Sequence, residues 1–120
     1  MQQIVIHEAR SYLTAAIERH LLNADVTVRW TPFLPDFFRH IHADNSSIAV
    51  LHCVSLDEES ITAIAQLARV KHVIISLPAA DRRLEPVLRE IGVRSVLCES
   101  DPPDVMIETV TRLLVFPLGS

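Results

Sequence analysis

The sequence predicts an α/β domain in which a single parallel sheet of five strands carries helices on both faces. Five short apolar runs rich in β-branched residues alternate strictly with five longer stretches of helical periodicity, and the connections between them are short. The chain has 120 residues, 49% of them hydrophobic, which suits one globular domain burying roughly two-thirds of its unfolded surface. Strands that alternate with helices over short links are joined by right-handed crossovers, which leaves a doubly wound sheet as the economical arrangement.

The first run, Gln3-Ile4-Val5-Ile6, reads as a buried strand. A helix over about 9–22 follows, with Leu13, Ala16, Ile17 and Leu21 on one face at helical spacing. Residues 25–30 alternate polar and apolar up to Trp30, as a half-exposed edge strand does. Thr31-Pro32 and Pro35-Asp36 mark one or two helix starts, because proline suits a first helical turn. Phe33, Leu34, Phe37, Phe38 and Ile41 supply an apolar face as far as about His42. That "PFLPDFF" stretch crowds more apolar surface than one helix face buries, and reads as core in the first place and as interface in the second.

Residues 47–53 form the most hydrophobic run, fitting a central strand covered on both sides. Ser55 and Glu58 have the spacing of a capping box, and Asp57, Glu58 and Glu59 fall where a helix dipole favours anions; Ile61, Ile64, Leu67 and Ala68 carry the buried face to Arg69. Residues 73–77 give the fourth strand. The helix over about 84–91 is stopped by Gly92, which tolerates the left-handed conformation that ends helices. Residues 93–98 give the fifth strand. Asp101-Pro102-Pro103 opens a last helix with Met106, Val110, Leu113 and Leu114 in a stripe, broken at Pro117. Residues 115–120, "VFPLGS", read as a bare terminus or as the start of a connection. The expected architecture is flavodoxin-like, strand order 2-1-3-4-5, as one domain over residues 1–120.

Composition excludes several functions. With only Gly92 and Gly119 available, neither opening a helix after a strand, no glycine-rich phosphate cradle exists. A net charge of -4 with Lys and Arg scattered along the chain gives no basic stripe for nucleic acid. No signal-peptide pattern and no run of about 18 apolar residues occurs, so neither export nor a membrane span is expected and the cytoplasm is the default location. Two cysteines without CxxC spacing argue against a disulfide scaffold or a zinc ribbon. Cys53 and Cys98 would end the third and fifth strands, with roughly 9 to 10 Å between backbones, too far for a disulfide.

"LREIGVRSVL" and "IVIHEAR" resemble, respectively, the helix, glycine and fifth strand, and the first strand with its following loop, of receiver domains from two-component response regulators. The resemblance spans about residues 3–115 and is one of pattern. It implies a site at the carboxyl edge of the sheet: an acidic pair after the first strand holding magnesium, an aspartate ending the third strand as phosphate acceptor, a Ser or Thr ending the fourth and a Lys ending the fifth. This chain offers His7 and Glu8 at the acidic pair, and His52 or Cys53 at the acceptor, the register leaving both open. Ser76 stands for the hydroxyl, and Glu99 falls near the lysine position. Magnesium takes hard oxygen ligands and a transferred phosphoryl group needs cations around it, so aspartyl phosphorylation should fail here. The resemblance therefore implies a pseudo-receiver. Such domains serve as binding or dimerisation modules, often through the fourth helix, fifth strand and fifth helix.

Two sharper readings attach to the same residues. In the expected order His7 and His52 would lie about 5 Å apart at the backbone, with Cys53, Glu8 and Glu99 nearby, a donor set that zinc prefers. No HxH, HxxxH or CxxC spacing joins these residues, and polar caps on strand ends suffice, so no metal and no cofactor is assigned. Cys53 beside His52 could act as a nucleophile, but Glu59 stands where a CX5R phosphate loop needs arginine, and Asp104 stands there for Cys98. Buried thiols at strand ends are usually inert. His20, His40, His42 and His72 read as solvated side chains. The expectation is thus a regulatory domain without catalytic residues, docking on a protein partner or on itself as a homodimer, with no nucleic acid and no membrane. The alternative is a small flavodoxin-like enzyme, or a ligand- or metal-binding protein, using His7, His52, Cys53, Ser76 and Glu99.

Overall fold

The structure, a computed structural model, describes residues 2–43, 47–52 and 55–118. Five strands alternate with five helices: β1 (Gln2–His7), α1 (Tyr12–His20), β2 (Val26–Thr31), α2 (Leu34–Ala43), β3 (Ser47–His52), α3 (Glu58–Ala68), β4 (His72–Leu77), α4 (Glu85–Glu90), β5 (Ser95–Cys98) and α5 (Pro103–Leu118). All pairings are parallel and the order is β2-β1-β3-β4-β5, as the alternation predicts.

Strand parity divides the core into two layers. Val5, Ala49, Leu51, Val73, Ile75 and Leu77 pack with Phe37 and Ile41 of α2, Ile64 and Leu67 of α3 and Leu88 of α4. Ile4, Ile6, Ile48, Val50 and Ile74 pack with Leu13 and Ile17 of α1 and Met106, Val110 and Leu114 of α5. Helices therefore cover both faces, and β1, β3 and β4 are apolar on both sides. β2 is the expected edge strand, with Thr27, Arg29 and Trp30 exposed. "PFLPDFF" divides: Phe37 is in the core, Leu34 and Phe38 pack against it, and Phe33 is 67% exposed.

Several boundaries and caps differ from expectation. α1 starts at Tyr12 rather than near Ala9, because Glu8 is drawn into capping it from outside the helix. The cap of α3 is Asp57, whose Oδ1 accepts the Ser60 N–H at 2.8 Å, so the Ser55–Glu58 capping box is not the device used; only Glu58 and Glu59 lie in the first turn. The same bond lowers the Asp57 carboxyl below its ordinary value. A 3₁₀ turn (Ala79–Leu84) precedes the short α4. α4 ends in a Schellman motif: Gly92 sits at φ +107°, its N–H donates to Arg89 O, and Val93 N–H donates to Leu88 O at 3.0 Å. Val93 belongs to that motif and β5 begins at Ser95. α5 ends at Leu118, one residue past Pro117 and within the usual latitude of a helix end.

Candidate functional site

The carboxyl edge of the sheet is where the sequence places its site, and β1 reaches it first. His7 pairs in register with Leu51, not His52, and shares the α2–α4 face of the sheet with Val5 and Leu51. Its Nδ1–H donates to Thr31 O at 3.0 Å and its ring centroid lies 6.2 Å from that of Phe37. Glu8 is 3% exposed. Its Oε1 accepts Leu13 N–H at 3.2 Å, and its Oε2 accepts Thr14 N–H at 2.7 Å and the Thr14 hydroxyl at 2.6 Å. These are the amides at the second and third positions of α1, which Ser11 at the cap position leaves without a side-chain acceptor. Trp30 Nε1–H donates to Glu8 O at 2.9 Å and the Thr31 hydroxyl to Ile6 O at 3.0 Å, so β2 fastens the chain on both sides of His7.

This donor set does not fit magnesium, which takes several hard oxygen ligands. The carboxylate is already engaged by three donors of α1, and the neighbouring position holds an imidazole committed to a carbonyl on the opposite face of the sheet. The expectation that His7 and His52 stand together is corrected by the register. Residues one step apart on a parallel pair point to opposite faces.

His52 pairs with Ser76, and Ser76 with Leu97, so these three share the α1/α5 face. Along that face the apolar rows of β3 and β4 change from Val50 and Ile74 to His52 and Ser76. There a cavity of about 900 Å³ opens, lined by residues of α1 and α5 and by Glu8, His52, Ser76, Cys98 and Glu99. Ser76 is 2% exposed, and its Oγ has no hydrogen-bond partner among the described residues. Glu99 follows β5, and its Oε1 accepts Ala79 N–H at 3.0 Å, clipping the segment after β4 to the end of β5. Cys53 lies outside the described residues. Of the six expected positions, the structure thus brings Glu8, His52, Ser76 and Glu99 to one cavity and turns His7 away.

Cys98, at the end of β5, is not fully buried. It is half-buried at the cavity, with its N–H donating to Asp101 Oδ2 at 2.9 Å. The Ser100 hydroxyl donates to its Sγ at 3.2 Å, which stabilises the thiolate and lowers the thiol below its ordinary value.

The opposite, amino edge carries a feature that sequence spacing hides. Arg69 and Lys71 after α3, His72 at the start of β4 and Arg94 before β5 surround a shallow polar pocket of about 260 Å³. His72 is half-buried there rather than freely solvated; burial, then the Arg94 charge, lowers its pKa. Only the topology gathers these residues from two loops. Of the remaining histidines, His20 and His42 are exposed as expected, and the His42 ring stacks on Phe38 with centroids 6.5 Å apart.

Neither a protein-family model nor a curated protein sequence matches this chain. Solved structures do. The receiver domain of the TMAO respiratory system response regulator TorR superposes with a TM-score of 0.75 at 18% identity, over 95% of this chain and 97% of that one. A response regulator from Thermotoga maritima gives 0.75 at 14%, over 96% and 98%. A response regulator receiver domain protein from Clostridium thermocellum gives 0.74 at 12%, over 93% of each. The chain has the receiver fold along nearly its whole length.

Proposed function

We propose that this chain is a single receiver-like regulatory domain of bacterial signal transduction, working in the cytoplasm, whose output is contact with a protein partner or a second copy of itself. It does so without an aspartyl phosphate at the carboxyl edge. The observation that carries this reading is the engagement of Glu8: the carboxylate positioned for a metal is instead the cap of α1. Support comes also from Glu99, an anion near the place where the fold's known members hold a lysine, and from the imidazole of His7 beside Glu8. A phosphoryl group arriving there would meet carboxylates where it needs cations. Self-association is assigned to α4, β5 and α5, where Val87 is 41% exposed. No described helix is long and apolar enough to cross a membrane.

The test is incubation with acetyl phosphate and magnesium, and separately with beryllofluoride, followed by intact-mass measurement. An unmodified mass is the expected outcome. A hydroxylamine-labile phosphoryl adduct would overturn the reading. Light scattering on the same preparation gives the mass in solution, and Val87→Glu should lower it if α4 forms the contact.

The alternative, one catalytic or metal-binding cluster built from His7, His52, Cys53, Ser76 and Glu99, is not favoured. His7 lies on the other face, and among the described residues no three His, Cys, Asp or Glu side chains are grouped to hold a metal ion.

A further inference from the structure

The cavity between α1 and α5 has the construction of a small-molecule site, and the chemistry of its lining narrows the ligand. Leu13 and Ala16 of α1 face Met106 and Ile107 of α5 across it, which gives apolar walls. Its inner end is polar: His52 and Ser76 stand side by side in register. Buried hydroxyls normally have a hydrogen-bond partner, yet the Ser76 Oγ has none among the described residues. The other buried polar side chains at this end, Glu8 and Thr14, bond to each other and to α1. A volume of about 900 Å³ is within the range of sites that enclose ligands of ordinary metabolite size.

Charge decides the class. Arg10, Arg19 and His20 are exposed, as are Asp101 and Asp104, so the fixed charges of both signs lie outward. At the inner end the buried carboxylate is Glu8. An anionic head group there would face that carboxylate with no arginine or lysine at the same depth. A cationic head group would seek Glu8, whose two oxygens already accept from three donors. A hydroxyl, carbonyl or amide suffers neither penalty and can meet both Ser76 and His52.

We propose that the α1/α5 cavity binds an uncharged amphiphile, its apolar body between the two helices and a single hydrogen-bonding head on Ser76 and His52. This goes beyond the regulatory reading and does not depend on it: an acyl-phosphate adduct would overturn that reading, whereas this site is judged by n-octanol binding to the unmodified chain.

Calorimetric titration of the whole chain with n-octanol tests it, with octanoate and octylammonium as charged controls of equal length. Saturable one-to-one binding of n-octanol is expected, with both charged analogues weaker by on the order of tenfold. Ser76→Ala should keep the fold and weaken n-octanol on the order of tenfold, the scale of one lost hydrogen bond. Ala16→Trp, which fills the cavity from the α1 wall, should abolish binding with the circular dichroism spectrum unchanged. If either variant unfolds, alkylation of Cys98 at the cavity, followed by peptide mass spectrometry, reads occupancy in the unaltered chain: n-octanol should slow it and octylammonium should not. Absence of saturable binding, equal binding of all three probes, or no effect of Ser76→Ala in a folded protein would each overturn the proposal.

Discussion

The two faces of the sheet finish differently at the same edge. On the side of α2, α3 and α4 the row through Val5 and Leu51 ends at His7, whose ring donates to Thr31 O and packs near Phe37. That row ends in a packed ring. On the side of α1 and α5 the rows through Val50 and Ile74 end at His52 and Ser76, and beyond them lies a cavity. Neighbouring residues in one run of sequence thus take unlike roles. A single step along a strand reverses its face, and the register decides which polar side chain is structural and which lines a site.

The largest effect should come from breaking the packed core on the side of α2, α3 and α4. Phe37 is fully buried, and Phe37→Ala should cost about 3 to 5 kcal/mol. Ile107→Ala, beside existing empty volume, should cost less than about half of that, since little new cavity forms. Urea midpoints for the two variants measure the contrast; equal costs would mean that the α1/α5 face is packed as tightly as the other. Next is the joint between the faces. Glu8→Ala removes the acceptor of two α1 amides and the Thr14 hydroxyl, and should destabilise by about 2 kcal/mol, read by the same titration. Trp30→Phe retains most of the ring but loses the bond to Glu8 O, for about 1 kcal/mol.

The smallest effect is at the amino edge, away from both strand ends. His72 is held below its ordinary pKa, first by burial and then by Arg94. The unfolded chain therefore binds the proton more readily than the folded one. The contribution is absent as a penalty above the ordinary histidine value of about 6.5, and stability is lost as pH falls from there through the depressed folded value. Arg94→Gln should raise the His72 midpoint in an NMR titration of its ring protons and shrink that loss. An unmoved midpoint would leave burial as the whole cause.

The strand order was legible because five β-branched runs and five helical periods leave little topological choice, and Gly92 announced the end of α4. What sequence spacing could not carry was anything that depends on register or on distant partners. His7 and His52 look equivalent at strand ends until β1 is set opposite β3 with Leu51, not His52, across from His7. Glu8 looks like half of a metal site until α1 is seen to begin at Tyr12 with its amides aimed at that carboxylate. Asp57 outcompeted Ser55 as a cap because it stands directly before the first helical residue. Ser76 was read as a position in a pattern; that its hydroxyl is buried beside empty volume follows only from how α1 and α5 pack over the sheet. The basic group of Arg69, Lys71, His72 and Arg94 comes from two loops that meet across the end of the sheet.

Trp30 is the chain's sole tryptophan, and its indole is tied to the main chain of the loop that caps α1. Emission excited at wavelengths that Tyr12 does not absorb therefore has one source, located where the edge strand meets the loop before the first helix. Excited selectively, that fluorophore gives an intrinsic optical gauge of whether the loop is latched, with no label attached.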